Sequence, residues 1–171
     1  VVTEAQKEVA IEKSLAAINE FWKSVKLEMY EYKRGDVDRG MCLRPSDEIT
    51  SSLDDNLMNL QSMAASKFCV PFIDKVRNWE KALGTAGEVL ECWLSVQRKW
   101  QYLEAIFIGS QDIRQQLPEE AKRFDNVDKR WSKIMSDAVA NPNVIAATSI
   151  ENRLQDLETL SDDLDKCQKS L

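Results

Sequence analysis

Apolar residues recur along this chain at spacings of three and four, the period of a helix with one buried face. Ile11, Leu15, Ile18 and Trp22 form the first seam, with Thr3 ahead of it as the expected N-cap. Pro45-Ser46-Asp47-Glu48 opens a second helix, capped by Ser46 or Asp47, with Ile49, Leu53, Leu57, Leu60 and Met63 as its stripe. Pro71 suits the first position of a third helix. There Phe72, Val76, Trp79, Leu83, Ala86, Leu90, Trp93, Gln97 and Trp100 repeat at four and three. Unbroken to Phe107, this helix is roughly 55 Å long at 1.5 Å per residue. Gly84 and Gly87 weaken its middle by about 1 kcal/mol each relative to alanine, and predict a bend or a close helix–helix approach.

Gly109-Ser110 ends the third helix, and Ser110 caps a short turn through Leu117. Pro118 with Glu119 and Glu120 begins a fourth, carrying Ala121, Phe124, Val127, Trp131 and Ile134 or Met135. Asn141-Pro142-Asn143 stops it. A short turn over residues 144–147 leads to Ser149, the expected cap of a last helix. Leu154, Leu157, Leu160 or Ser161, Leu164, Cys167 and Leu171 run along that helix.

Within the third helix, WLSVQRKWQYLEAIF (residues 93–107) places Trp93, Val96, Trp100, Leu103 and Phe107 in one arc of about 80°. Tyr102 and Ile106 fall nearly opposite. Two apolar sides predict neighbours on two sides, so this helix is the interior member of a bundle. One stretch stays ambiguous. Val25, Met29 and Tyr32 continue a helical seam, yet Val25, Leu27 and Met29 also alternate with Lys26 and Glu28. KRGDVDRG (residues 33–40) is rich in turn formers, and Met41, Cys42 and Leu43 follow it. A β-hairpin with strands near 26–32 and 40–44 fits as well as a longer helix does.

Composition narrows the classes. The 171 residues suffice for one domain with its own core; 43% are apolar and 30% charged, as in a helix-rich folded protein. A net charge of −6 without a basic run argues against nucleic-acid partners. No apolar run reaches membrane-spanning length, and no signal-peptide pattern opens the chain, so no membrane partner is expected. The chain begins VVTEAQ and stops at Leu171 within a helical pattern, which reads as a piece of a larger polypeptide.

Histidine is absent, which removes the most frequent general base and metal ligand together. Cys42, Cys69, Cys92 and Cys167 form no CxxC pair and are expected as free, buried thiols in a reducing compartment. With no histidine to activate it, none of them reads as a nucleophile. The acidic pairs Asp54-Asp55, Glu119-Glu120 and Asp162-Asp163 point about 100° apart on a helix and cannot act as a dyad. No catalytic, cofactor-binding or metal-ligating residue is expected here. The tryptophans read as core, with Trp79, Trp93, Trp100 and Trp131 holding the seams.

WLSVQRKWQYLEAIF, with GSQDIRQQLPEEAKRFDNVDKRW (residues 109–131) after it, resembles the start of the linker region of dynein heavy chains. LDDNLMNLQSMAASKF (residues 53–68) and PFIDKVRNWEKAL (residues 71–83) resemble the same region, in wording closer to the axonemal heavy chains. The resemblance covers residues 22–171; the first twenty match loosely, as a helix arriving from the tail. It implies a lever of stacked helical bundles lying across a downstream ring of AAA+ modules, bending and straightening with the ATP cycle to drive minus-end-directed motility. It also implies a small β-hairpin near the linker's start, which favours strands in the ambiguous segment. ATP and Mg would belong to the parent motor, because this chain has neither Walker motifs nor a microtubule-binding stalk. Implied partners are the AAA+ ring, intermediate and light chains, neighbouring heavy chains and, through the parent, the microtubule; the implied location is cytoskeletal, in the ciliary axoneme.

The expected fold is therefore mainly α, an elongated antiparallel bundle of long helices with a small hairpin near residues 26–44. Residues 1–171 form one helical module, with 1–24 as the entering helix. The rival reading is a spectrin-like scaffold that only binds partner proteins. It would carry a repeat of about a hundred residues and no hairpin, and no repeat is visible.

Overall fold

The structure, a computed structural model, describes residues 3–171. The elements run α1 (Glu4–Ser24), β1 (Met29–Arg34), β2 (Val37–Leu43), α2 (Asp47–Ala64), a 3-10 segment (Lys67–Phe72), α3 (Ile73–Phe107), α4 (Gln111–Gln116), α5 (Pro118–Ala140), α6 (Val144–Thr148) and α7 (Arg153–Lys169). The chain is a mainly-α helical bundle with a two-stranded antiparallel hairpin.

Local signals place the helix ends. Thr3 closes a capping box with Gln6: its side chain accepts from the Gln6 N–H at 3.3 Å, and its own N–H donates to Gln6 Oε1 at 3.0 Å. Ser46, not Asp47, caps α2, and Ser110 caps α4. Pro118 occupies the first turn of α5, where a missing N–H costs nothing. The third helix differs from expectation at its start. Pro71 lies inside the 3-10 segment capped by Ser66, and α3 begins at Ile73. Ser149 is also not the cap of the last helix. It closes α6 through its N–H to the Ile145 carbonyl, and α7 starts after Asn152, whose φ of 65° reverses the chain. Leu171 lies beyond the end of α7 and is 47% exposed, so the seam stops at Cys167.

α3 runs 35 residues without a break and packs against α2, α5, α6 and α7, as an interior helix should. Three layers join it to α5. Phe107 stacks on Phe124 (5.5 Å, 18°), Trp100 stacks on Trp131 (5.6 Å, 27°), and the Trp93 indole N–H points at Met135 Sδ (3.3 Å). Positions rise by seven on α3 as they fall on α5, so the two helices run antiparallel. Trp93, Trp100, Trp131 and Trp22 are fully buried; Trp79, Leu90 and Leu57 are only half-buried. The second apolar strip on α3 is thinner than expected. Ile106 packs against the core, but Tyr102 is 54% exposed.

Neither Gly84 nor Gly87 marks a close approach, since a Cβ built at either meets nothing within 4 Å. Both sit in unbroken helix. Gly84→Ala and Gly87→Ala are therefore expected to stabilise the chain by about 0.4–1 kcal/mol each, by restricting the unfolded state. Urea unfolding checks this; a lower midpoint for either variant would reveal a contact that the glycine protects.

The hairpin forms, with shifted limits. Residues 25–27 do not pair within it. Val25 O and the Leu27 N–H bond instead to the Val144 N–H (3.1 Å) and Pro142 O (2.7 Å), and Lys26 bridges to Asn143. Asn143 ties this corner from both sides. Its Nδ2 donates to the Trp22 carbonyl (2.8 Å) at the end of α1, and its Oδ1 accepts from the Ala146 N–H (3.0 Å) at the start of α6. The hairpin turn falls on Gly35-Asp36, with Gly35 at φ 61°. Pairing runs Met29 to Leu43, Tyr30 to Cys42 and Glu31 to Met41, then Lys33 to Asp38 and Arg34 to Val37. The extra residue lies on β2 at Arg39-Gly40, a bulge with Gly40 at φ 93°.

Candidate functional site: a buried charge junction beneath the hairpin

The bulge decides what faces the helices. Counting by twos from inward Cys42, an unbroken β2 would turn Gly40 and Asp38 inward. The extra residue turns Arg39 inward instead, onto the face that carries Tyr30, Tyr32 and Arg34. Beneath that face lies Glu104 of α3, which is fully buried. Arg34 donates to it through Nη2 (2.5 Å) and Nε (3.2 Å), Arg39 through Nε (3.1 Å), and the Tyr32 hydroxyl at 3.4 Å. Arg39 also reaches across to α5, where its Nη2 meets Asp128 Oδ2 at 2.9 Å. The other oxygen of Asp128 accepts the Trp100 indole N–H at 2.9 Å. The Arg39 guanidinium lies over the Trp100 ring, 5.9 Å from its centroid, and the Tyr32 ring is 5.3 Å from the same indole.

Two glutamines extend the junction along α3. Gln97 mimics a neighbouring strand: its Oε1 accepts the Leu43 N–H (2.6 Å), and its Nε2 donates to the Leu43 carbonyl (2.7 Å). Gln101 donates to the Tyr30 hydroxyl at 2.8 Å. Buried Gln97 and Glu104, with half-buried Gln101 between them, thus form a polar strip on a helix whose other buried positions are apolar.

The electrostatics follow from this geometry. Hydrogen bonding to Glu104 holds the Arg34 guanidinium above its ordinary pKa. Burial pulls Arg39 down, but the Asp128 hydrogen bond and the charges of Asp128 and Glu104 outweigh it and leave Arg39 raised. Burial first, then the Glu104 charge, push the Tyr32 phenol up, so it remains a donor. Two carboxylates face two guanidiniums, and both Glu104 oxygens are engaged by donors. Such a cluster adds little net stability over apolar side chains of similar volume, yet removing one partner strands a buried charge. Its effect is positional. Any slip of the hairpin over α3 or α5 would leave a charge unpaired.

The sequence-level candidates lie elsewhere. Asp54 and Asp55 are exposed on α2, and Glu119 and Glu120 sit in the first turn of α5. Asp163 binds Arg130 at 2.5 Å and joins α7 to α5, while Asp162 faces solvent. All four cysteines are free; Cys42, Cys69 and Cys167 are buried and Cys92 is half-buried. Burial raises each thiol, Cys42 to about 11, so all four stay protonated at neutral pH. Among the described residues no group of three or more carboxylates and thiols is placed to hold a metal ion, and no helix is long and apolar enough to cross a membrane.

Sequence reasoning missed Glu104, although a signal was there. The 4,3 repeat that includes Trp93, Gln97 and Trp100 continues onto Glu104 and Phe107. Two polar residues seven apart on the core seam, with Trp100 between them, predict buried partners. The partners of Glu104, Arg34 and Arg39, come from a segment whose own pattern fits strand and helix alike.

These features define a structural module in which a hairpin is locked onto a helical bundle by buried charge. The family model described as "Dynein heavy chain, N-terminal region 2" matches residues 1–171, and the chain belongs to the dynein heavy chains. It is 51% identical over 171 residues to dynein axonemal heavy chain 10 of Homo sapiens. It is 48% identical over 167 residues to the dynein-1-alpha heavy chain, flagellar inner arm I1 complex, of Chlamydomonas reinhardtii, and 37% identical over 171 residues to the ciliary dynein beta chain of Tripneustes gratilla. These matches cover 98–100% of the chain but 4% of each relative's length. The similarity thus includes the first twenty residues, further than the resemblance of the quoted segments reaches.

Proposed function

We propose that this chain is the tail-proximal part of the linker of an axonemal dynein heavy chain, a stiff lever segment that moves with the ATP cycle of a downstream AAA+ ring. The observation that carries this reading is the unbroken 35-residue α3, fastened on one side to α5 by aromatic layers and capped by the hairpin through buried charge. A stack of rods resists bending far better when its layers cannot slide. Interlocked indoles oppose sliding between helices, and the Glu104–Arg39–Asp128 bridge opposes it between α3, α5 and the hairpin. In this reading the chemistry of ATP belongs to the parent motor, and residues 4–24 bring the chain in from the tail. The axonemal setting follows the names of its relatives, whose inner- and outer-arm assemblies suggest neighbouring heavy chains and intermediate and light chains as partners.

The test is a full-length axonemal heavy chain carrying Trp100→Ala, assayed for microtubule-stimulated hydrolysis and for gliding in parallel. Hydrolysis is expected to persist while gliding slows. Unchanged gliding speed in a variant whose linker melts at a lower temperature would refute the lever reading.

A further inference from the structure

On the side of the bundle where α5 meets α7 lies an open groove of about 480 Å³. Ile134 and Leu160 form its buried apolar wall, and Ile150, 45% exposed, stands at its edge. Its charged lining is unbalanced: Lys129, Arg130, Lys133 and Arg153 against Asp137 and Asp156. Asp163, just outside, neutralises Arg130. An excess of positive charge remains, on a chain whose net charge is −6.

Arg153 is the unusual member. It is 95% buried, with its guanidinium 5.6 Å from the centroid of the Trp93 ring. Its Nε is buried and has no acceptor among the described residues. The carboxylate paired with it, Asp137, lies 4.0 Å from Nη2, beyond hydrogen-bonding distance, and is shared with Lys133 at 3.5 Å. Burial lowers its pKa, and the charges of Asp137 and Asp156 only partly counter this. A buried guanidinium short of acceptors is costly; Nε itself is sealed from the groove, so a carboxylate arriving there would bond the Nη atoms, which Asp137 does not reach within hydrogen-bonding distance. Arg130, on the facing helix, also carries a buried Nε without an acceptor among the described residues. Arg153 begins α7, and the residue before it, Asn152, makes no side-chain cap, so the positive end of that helix opens beside the same groove.

We infer that this groove is a docking site for an acidic segment of a partner protein, which seats one carboxylate on Arg153 and lays aliphatic side chains against Ile134 and Ile150. The unbonded guanidinium and the cation excess call for an anion. The apolar wall and the exposed isoleucine call for that anion to arrive on a peptide, since a free anion would leave them uncovered. The site is independent of the lever reading, because a scaffold built on this fold would carry it as well.

The test uses the 171-residue chain and the capped peptide acetyl-Ile-Glu-Glu-Leu-amide, with nitrogen-15 resonances of arginine side chains and isoleucine methyls as readout. Saturable shifts are expected at the Arg153 Nε–H, Ile134 and Ile150. The glutamine analogue, acetyl-Ile-Gln-Gln-Leu-amide, should bind about tenfold more weakly or less. Because Arg153→Gln disturbs a buried position, the exposed pair Lys129→Glu with Lys133→Glu serves as the second variant, and it too should weaken binding about tenfold with helicity unchanged. Equal binding of the two peptides, equal binding by the charge-reversed chain, or no shift at Arg153 up to the solubility limit would each overturn the proposal. So would inorganic phosphate shifting Arg153 over the same concentration range as the acidic peptide, which would mark a site for small anions.

Discussion

Replacing Trp100 with alanine is expected to remove about 3–5 kcal/mol of unfolding free energy, a large share of what a domain of this size has. The indole is fully buried and touches three elements at once. It stacks on Trp131 of α5, meets the Tyr32 ring of β1, and lies beneath the Arg39 guanidinium of β2. Its N–H also satisfies one oxygen of Asp128. Truncation therefore opens a cavity and leaves a half-buried carboxylate one donor short. Equilibrium unfolding in urea, followed by tryptophan fluorescence and circular dichroism, measures the loss. A fall below about 1 kcal/mol would mean that the stack contributes little, and the packing described for α3 and α5 would be wrong. Trp100→Phe keeps the ring and loses the donor, so it should recover more than half of the stability.

Glu104→Gln carries the second large effect, about 3–5 kcal/mol, by a different route. The substitution is nearly isosteric and opens no cavity. It withdraws the negative charge on which Arg34 and Arg39 converge, and Arg39 is left with Asp128 alone. Loss should concentrate in the hairpin. Amide hydrogen exchange of β1 and β2 is expected to accelerate strongly, while α7, whose side chains form no ion pair with Glu104, Arg34 or Arg39 among the described residues, keeps most of its protection relative to the lowered global stability. A double-mutant cycle separates charge pairing from general damage. With Arg34→Gln and Arg39→Gln already in place, Glu104→Gln should cost far less than in the native chain. Additive costs would mean that the carboxylate acts through packing and that the junction does not register the hairpin.

These two residues differ in how visible they were. Trp100 announces itself, because an indole on a 4,3 seam has a core position from sequence periodicity alone. Glu104 sits on the same seam, but its charge suggests the surface, and only the arginines opposite make its burial tolerable. The helices were legible for the same reason as Trp100. Thr3, Ser46, Ser110 and Pro118 act within one turn of their own position, and their roles follow from local hydrogen bonding. Where a boundary depends on a distant segment, local pattern misplaces it. Residues 25–27 look like the start of a strand, yet their partners lie more than a hundred positions away around Asn143. Ser149 looks like a cap, yet the turn over 149–152 moves that boundary to Asn152. Gly84 and Gly87 look like contact points, yet open space surrounds both.

The sequence by itself determined the helices, their apolar faces and the interior place of α3. Those depend on spacing and on residues within one turn of each other. The tertiary structure decided which side of β2 carries Arg39, that Glu104 is buried between it and Arg34, and that the Arg153 Nε has no acceptor among the described residues. Each of these depends on groups brought together from far along the chain, and a buried charge has meaning only through what stands opposite it.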